Sequence, residues 1–207
     1  MAFFTDYTSL QSTIASYLAR TDLATQIPEF IRLGETRLRR DLRLRQMIKV
    51  ATAIATTGDS TVEIPNDFLA MKEIHLQGNP PQTIQFLSTS NFFRNARTAD
   101  KGLPRYYTLL GSEFQFAPVP DTDTTIQMVY YYQPDYLSDT NSSNLWLANT
   151  PDLLLYAALG EAEPYLMNDE RLQTWAAMYD RALNSITKSD DESEYPAQPL
   201  VITNSMR

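Results

Sequence analysis

The spacing of the apolar residues changes twice along this chain, and that change limits the folds open to it. Towards both ends the apolar residues recur every three to four positions, which is typical of amphipathic helices. Between about residues 47 and 143 they tend to alternate, which is typical of half-buried strands. Helical ends around a β-rich middle predict an α+β protein whose helical domain is interrupted by an inserted β-rich domain.

Two helices are predicted before the β-rich region. Thr8 and Gln11 have the spacing of a capping box, which predicts a helix start there. Pro28 suits the first turn of a second helix, where its missing N–H loses no bond, and Gly34 predicts a close helix crossing. We expect the second helix to reach about Arg45. The two apolar stripes are Leu10, Ile14, Tyr17 and Leu18, then Ile27, Ile31, Leu38 and Leu42.

The middle of the chain predicts a small β-sandwich or barrel. A turn at 57–60 predicts that the run 61–64 pairs back on the run 50–55 as a hairpin. Residues 90–97 predict a short helix. The expected strands cover about 50–55, 61–64, 70–76, 83–87, 105–110, 113–117 and 125–132.

Two further helices are predicted near the C-terminus. Thr150-Pro151-Asp152 predicts a capped start, and the apolar residues after it occupy almost the whole helix surface, so this helix should be central. Pro164 or Asn168-Asp169 is expected to kink or end it. The stripe of the fourth helix is Leu172, Trp175, Ala176, Tyr179 and Leu183.

These patterns together predict a four-helix bundle-like domain, an inserted small β-sandwich or barrel, and an extended C-terminal tail. We expect a discontinuous helical domain at 1–46 and 144–189, a β-rich domain at 47–143 and a tail at 190–207. The N-terminus has no basic start followed by an apolar run, and no stretch approaches the ~18 apolar residues of a membrane span. A soluble protein made in the cytoplasm, with no membrane partner, is therefore expected.

The residue types that carry most enzyme chemistry are scarce. The absence of cysteine excludes disulfides and thiolate metal sites, and His75 is the only histidine, whereas zinc sites need several His or Cys ligands. The sequence has neither a Gly-x-Ser-x-Gly motif nor a phosphate-binding glycine loop. We expect no enzyme activity, no catalytic residues, no cofactor and no metal. A carboxylate pair for glycoside hydrolysis stays open, because such pairs form in space.

The charge is distributed unevenly. Residues 32–49 carry seven basic and two acidic residues, a net charge of +5 in a chain of net charge −8. Residues 113–194 carry 15 acidic and three basic residues. The basic residues of the first segment are Arg32, Arg37, Arg39, Arg40, Arg43, Arg45 and Lys49.

Three interpretations of this asymmetry stay open. The basic helix face can pair with the acidic half inside one chain. It can bind nucleic acid, although the acidic surface opposes phosphates. It can instead meet the acidic surface of a second copy, head to tail, and such contacts close into rings when the rotation allows. Arginine suits the last interpretation because its planar fork binds carboxylates through two hydrogen bonds.

Several segments resemble phage head-to-tail adaptor (connector) proteins, and are similar to the tail tubular protein A group of short-tailed phages. The arginine-rich second helix fits the same family. The segments that carry the resemblance are Phe4-Thr5-Asp6-Tyr7, Gly102-Leu103-Pro104-Arg105-Tyr106-Tyr107, Phe114-Gln115-Phe116-Ala117-Pro118-Val119-Pro120, Val129-Tyr130-Tyr131-Tyr132-Gln133-Pro134, Leu145-Trp146-Leu147 and Pro151-Asp152-Leu153-Leu154-Leu155-Tyr156-Ala157-Ala158-Leu159.

The resemblance implies a structural protein of the virion neck. Such a protein forms a homo-oligomeric ring of twelve subunits beneath the portal, carries tail nozzle and tail-fibre proteins, and surrounds the channel through which DNA passes. The alternative is a nucleic-acid-binding accessory protein that uses the arginine-rich helix. Candidate subunit-interface residues are Arg32, Arg37, Arg39, Arg40, Arg43 and Arg45, and candidate tail residues for binding the portal or a neighbour are Tyr195, Leu200, Val201 and Ile202.

Overall fold

The structure is a computed structural model that describes residues 4–96, 98–166 and 169–194. Its contacts divide the chain into a helical unit, formed by Met1–Arg45 and Pro134–Arg207, and a β unit, formed by Gln46–Gln133. The α+β class predicted from the sequence is confirmed, with two small sheets in the β unit. In chain order, the described helices are α1 (Tyr7–Leu18), α2 (Ile27–Asp41), α3 (Thr89–Asn95), α4 (Leu145–Asn149), α5 (Pro151–Leu166) and α6 (Asp169–Glu194).

Helix α1 begins one residue earlier than its predicted cap. The Asp6 carboxylate accepts from the backbone N–H of Ser9 at 2.7 Å, and the Ser9 hydroxyl accepts from the N–H of Asp6 at 3.1 Å. This reciprocal pair is the capping box, so the box predicted at Thr8 and Gln11 is wrong. Of the predicted apolar stripe, Leu10, Ile14 and Leu18 are buried, whereas Tyr17 is 46% exposed and meets the Trp175 ring edge-on at 6.0 Å.

Helix α2 has Pro28 in its first turn, as predicted, but it ends at Asp41 rather than near Arg45. It ends there because Leu42 is extended, with its N–H still bonded to the carbonyl of Leu38. The predicted close crossing is confirmed. A Cβ placed on Gly34 would lie 3.0 Å from the backbone nitrogen of Ala158 in α5, so only glycine allows this approach.

Helix α5 is the centre of the helical unit, since it contacts α1, α2, α4 and α6. Most of its apolar side chains are fully buried, as the all-round apolar pattern predicted. Pro164 lies inside the helix, which continues to Leu166. The predicted helix start at Thr150-Pro151-Asp152 is confirmed, but the Thr150 hydroxyl donates to the carbonyl of Trp146 and so closes the short helix α4 instead of capping α5.

Helix α6 is longer than the sequence indicated. It runs to Glu194, so the prediction of an extended tail from residue 190 is wrong for residues 190–194. The stripe predicted for this helix faces its neighbours, with Tyr179 buried and Trp175 half-buried. None of the helices in the described ranges is long and apolar enough to cross a bilayer.

The β unit contains two four-stranded sheets, ordered β1-β8-β3-β4 and β2-β7-β6-β5. The predicted hairpin of 50–55 with 61–64 is wrong, because β1 pairs with β8 while β2 pairs with β7 in the other sheet. The predicted strand 83–87 is split between the sheets. The strands are β1 (Ile48–Ala55), β2 (Thr61–Glu63), β3 (Phe68–Leu76), β4 (Gln82–Thr83), β5 (Gln85–Phe86), β6 (Tyr106–Leu110), β7 (Glu113–Ala117) and β8 (Thr124–Tyr132).

The two sheets share one hydrophobic core. The rings of Phe68 on β3 and Phe114 on β7, which belong to different sheets, are 5.4 Å apart and edge-on. The predicted short helix is present as α3, which buries Phe92 in a smaller cluster beside β6. The buried residues of the shared core are Ala55, Ile74, Leu76, Ile84, Tyr107, Phe114, Phe116, Ile126, Met128 and Tyr130.

Candidate interaction surface on the arginine-rich helix

Helix α2 carries most of the arginines that the sequence analysis singled out, and the structure divides them into two groups. Arg37 and Arg39 are half-buried, and Arg32 is exposed but stacked on a neighbouring ring. Arg40 lies on the helix surface, while Arg43 and Arg45 are exposed just after its end. We call the three exposed residues Arg40, Arg43 and Arg45 the basic patch. The side chains of the first group bind other parts of the same chain, whereas the basic patch is exposed to solvent.

The first group holds the segment that enters the helical unit after the β unit. We call this segment, residues 134–144, the strap. The guanidiniums of Arg32 and Arg39 lie over the ring of Tyr136, 4.2 Å and 3.5 Å from its centroid. Arg39 also donates to the carbonyl oxygen of Pro134. These stacked and charge-assisted contacts fix the start of the strap on α2.

Glu35 fixes the rest of the strap. Its carboxylate is buried and accepts from the backbone N–H of Leu137 at 3.1 Å and from the Asn144 amide at 2.5 Å. Asn144 in turn caps α4 by accepting from the N–H of Leu147. Burial raises the pKa of Glu35 to about 7, although these hydrogen bonds and the nearby Arg39 and Arg32 act to lower it.

Arg37 joins α2 to α6. Its guanidinium lies 3.9 Å from the ring centroid of Tyr179, and its Nε is 3.6 Å from Oδ2 of Asp41. The Tyr179 hydroxyl donates to the same carboxylate oxygen at 2.6 Å. Burial, followed by this hydrogen bond, raises the pKa of Tyr179. The arginine is therefore part of a partly buried polar connection inside the helical unit.

The residues of the basic patch are exposed and take no part in the stacking on Tyr136 or Tyr179. Arg43 donates to the carbonyls of Arg39 and Leu42 at 2.7 Å and 2.6 Å, which closes the end of α2. Arg40 has no side-chain partner within the described residues. Arg45 is held through its backbone N–H, which donates to Asp190 at 2.9 Å, and its side chain is exposed. Charge is therefore available here for a partner.

An acidic surface lies at the C-terminal end of α6. Asp191 and Glu192 are exposed, and Glu192 has one long contact, 3.9 Å, with Lys188 of the same helix. The arginine side chains of α2 mostly meet tyrosine rings and carbonyl oxygens, and Arg37 forms an ion pair with Asp41. The acidic half of the chain meets the basic segment where Asp190 accepts from the backbone N–H of Arg45, so pairing within one chain stays open beside pairing between copies.

No other cluster in the described residues offers obvious chemistry. His75 is half-buried on β3, and its Nε2 is 3.0 Å from Oε1 of Gln127. The described ranges hold no group of three or more His, Asp or Glu side chains arranged for a metal ion. The candidate tail residues Tyr195, Leu200, Val201 and Ile202 lie outside the described residues.

The strap and its anchors were missed from the sequence. Glu35 was counted only as an acid opposing the arginines, yet it lies on the apolar stripe between Ile31 and Leu38, and that placement signals burial. Nothing in the local sequence indicates that Tyr136 packs under two arginines, since these residues are about a hundred positions apart.

A comparison with known families gives a match over nearly the whole chain. The family model described as SU10 adaptor protein matches residues 5–202, a range that includes α2, the strap and both sheets. No curated protein matches the chain at a significant level. The family match supports the resemblance to phage head-to-tail adaptors, while the likeness to the tail tubular protein A group stays a prediction.

Proposed function

Because the chain belongs to the SU10 adaptor protein family, we propose that it is a head-to-tail adaptor in the neck of a phage virion. The family alone makes it a structural adaptor protein of a phage. Binding to the portal, and attachment of tail nozzle and tail-fibre proteins, are the finer parts of the proposal. The observation that carries it is the family match across residues 5–202.

The proposed assembly is a homo-oligomeric ring of twelve subunits around the channel through which DNA passes. The exposed basic patch and the exposed acids of α6 support head-to-tail contact, because two different surfaces that meet can close a ring. The number of subunits rests on the resemblance to adaptors alone. We also interpret the helical unit as a four-helix bundle-like domain carrying an inserted sandwich, since α5 contacts its neighbours on several sides and both sheets share one core.

We propose that the protein has no enzyme activity, catalytic residues or cofactor. Support comes from the sequence, which has one histidine and no cysteine. The alternative of nucleic-acid binding through α2 is less well supported by the geometry. Arg32 and Arg39 are stacked on Tyr136, Arg37 lies over Tyr179, and Arg43 closes the end of α2, so the side chains of four of the six candidate arginines serve their own chain.

The experiment that tests the adaptor proposal is a mass measurement of the purified protein, alone and mixed with the portal of its phage. We expect the mixture to contain a complex with several copies of the chain per portal. A protein that leaves the portal unbound would contradict the proposal. DNA binding across a salt series would then test the alternative, because phosphate contacts weaken steeply as salt rises.

A further inference from the structure

The two sheets of the β unit end in four edges of very different length. Strands β4 and β5 have two residues each, and β2 has three. Strand β1 forms the remaining edge and has eight residues, Ile48–Ala55. Soluble proteins generally keep edge strands short, bulged or charged, because a long regular edge recruits another strand. The edge of β1 is the exception in this unit.

Strand β1 lacks the usual features that block an edge. All eight of its residues pair with β8 in one unbroken register, from Ile48 with Tyr131 to Ala55 with Thr124. The pairing of β3 with β8, in contrast, has two register shifts. Strand β1 contains no proline, and Lys49 is its only charged residue. In a regular antiparallel edge strand, alternate residues direct their N–H and C=O groups away from the sheet.

The outer face of β1 is apolar and exposed. Val50 and Ile54 are 53% and 65% exposed, and Thr52 between them is also exposed. The opposite face carries Ala51 and Ala53, which pack against the shared core. Branched side chains of this kind stabilise a strand by packing against a cross-strand partner, and here the outer edge has none in its own sheet.

The chain itself contains a segment suited to this edge. Residues 199–203, which lie outside the described residues, read Pro-Leu-Val-Ile-Thr within an otherwise mostly polar tail. Leucine, valine, isoleucine and threonine in succession favour an extended strand, and a proline is accepted at the first strand position. Five extended residues span about 16 Å, which fits within an eight-residue edge.

We propose that the edge of β1 accepts residues 199–203 from a second copy of the chain as an added strand. The inference rests on the proposed ring and names a contact that closes it. Each copy then has one acceptor edge and one donor segment, so donation from copy to copy is head to tail. Backbone hydrogen bonds supply the affinity, and the exposed face of Val50 and Ile54 selects an apolar segment.

The main competing occupant is β1 of another copy. Antiparallel pairing centred on Thr52 would place Val50 of each copy opposite Ile54 of the other, so the strand is self-complementary. That contact is isologous and produces a closed pair rather than a ring. The two arrangements bring different residues together, and a cross-link distinguishes them.

The chain has no cysteine, so single cysteines report contacts without interference. One preparation carries Thr52→Cys and the other carries Val201→Cys, both in the full chain. They are mixed, with and without portal, and treated with a short bismaleimide. We expect a cross-linked species containing one chain of each preparation. The matched control is Gln82→Cys, exposed on β4 at the opposite edge of the same sheet, which should give little product with Val201→Cys because three strand spacings of about 4.8 Å separate β4 from β1.

A second variant tests the strand itself. Adding Leu200→Pro to the donor, with the cysteine kept at residue 201 so that it faces Thr52, should reduce the product about tenfold, because the proline removes a ladder hydrogen bond. Leu200→Val in the same background should retain it. Products joining two Thr52→Cys chains only, or no mixed product with or without portal, would overturn the inference.

A chain carrying both cysteines tests donation within one copy. An internal cross-link there, without any mixed product between copies, would also overturn the inference. Portal binding is measured on the same samples by mass. If the cross-link fails while the protein still binds the portal, only the proposed added strand is contradicted. If the unmodified chain does not bind the portal, the adaptor proposal itself is contradicted.

Discussion

The guanidinium of Arg39 lies 3.5 Å from the ring centroid of Tyr136, and that of Arg32, two turns earlier on the same helix, lies 4.2 Å from the same centroid. One aromatic ring is therefore held by two arginines of α2. Together with the buried carboxylate of Glu35, these contacts make the polar face of α2 a structural surface for its own chain. Part of a charge run that resembles a binding site is used for folding.

The stacking of Arg39 predicts unequal effects for neighbouring arginines. Arg39→Ala should lower the free energy of unfolding by about 2 kcal/mol, because it removes a cation–π contact and a charged hydrogen bond to Pro134. Arg40→Ala is the matched control and should stay within about 0.5 kcal/mol of the unmodified chain. Chemical denaturation measures both. Equal losses for the two variants would contradict the role of Arg39.

The burial of Glu35 predicts a pH-dependent stability. Its pKa is raised from 4.5 to about 7 in the folded state, so folding favours the protonated form. Its favourable contribution is complete below pH 4.5 and is lost as pH rises through 7. Glu35→Gln stays neutral, so the variant should match the unmodified chain near pH 4.5 and exceed it by about 3 kcal/mol above pH 7.

Denaturation at a series of pH values tests this prediction for Glu35. Glu29→Gln, on the exposed side of the same helix, controls for the loss of one acid from α2. A difference between Glu35→Gln and the unmodified chain that stays constant from pH 4 to pH 8 would show that the carboxyl titrates normally.

The crossing of α2 and α5 predicts opposite results for two glycines. Gly34→Ala should destabilise the protein by about 1–3 kcal/mol, because the new methyl group meets the α5 backbone at 3.0 Å and 3.3 Å. Gly160→Ala has only the Arg37 side chain at 3.8 Å and should be neutral or stabilise α5 by up to about 1 kcal/mol. Thermal or chemical unfolding measures whether each substitution raises or lowers the free energy of unfolding. A stabilising Gly34→Ala would mean that the helices cross less closely.

The basic patch predicts a defect of assembly without a defect of folding. Arg40→Glu combined with Arg45→Glu should weaken formation of the complex on the portal about tenfold, because it places like charges where acids are proposed to bind. Arg39 and Arg43 are left intact in this variant, since reversing Arg39 would release the strap and reversing Arg43 would remove the bonds that close the end of α2. Arg94→Glu combined with Arg181→Glu, two exposed changes outside the patch, is the control and alters the net charge by the same amount. Normal assembly by the double variant would reject charge pairing through this patch.

Local patterns identified most elements, and non-local partners explain what they missed. The first-turn Pro28 and the close crossing at Gly34 were predictable because each is indicated by a single residue within α2. The pairing of β2 was mispredicted because a turn between two strands favours a hairpin, whereas β2 finds a better partner in β7 across the chain. Helix α4 was missed because five residues are too few for a periodic signal.

The candidate surface also combines features that local sequence patterns predict with features that depend on distant partners. Sequence identified the arginine segment, but only the structure separates Arg32, Arg37 and Arg39, which have aromatic partners, from the exposed basic patch. The partners Tyr136 and Tyr179 come from distant parts of the chain, so no local pattern links them to α2. Burial of Glu35 was detectable in principle, because an acid within an apolar stripe needs hydrogen-bond donors.

The pairing of β1 with β8 has a consequence for how the interrupted helical unit can form. The two ends of Gln46–Gln133 are brought side by side by the unit's own ladder, since Ile48 lies opposite Tyr131. A folded β unit therefore acts as a short bridge between Arg45 and Pro134, and the helices need not close a long flexible loop, whose entropic cost grows with its length. The β unit therefore acts as a short cross-link between the two parts of the helical unit. The loops of the β unit can change without altering the separation of the chain ends that join it to the helices.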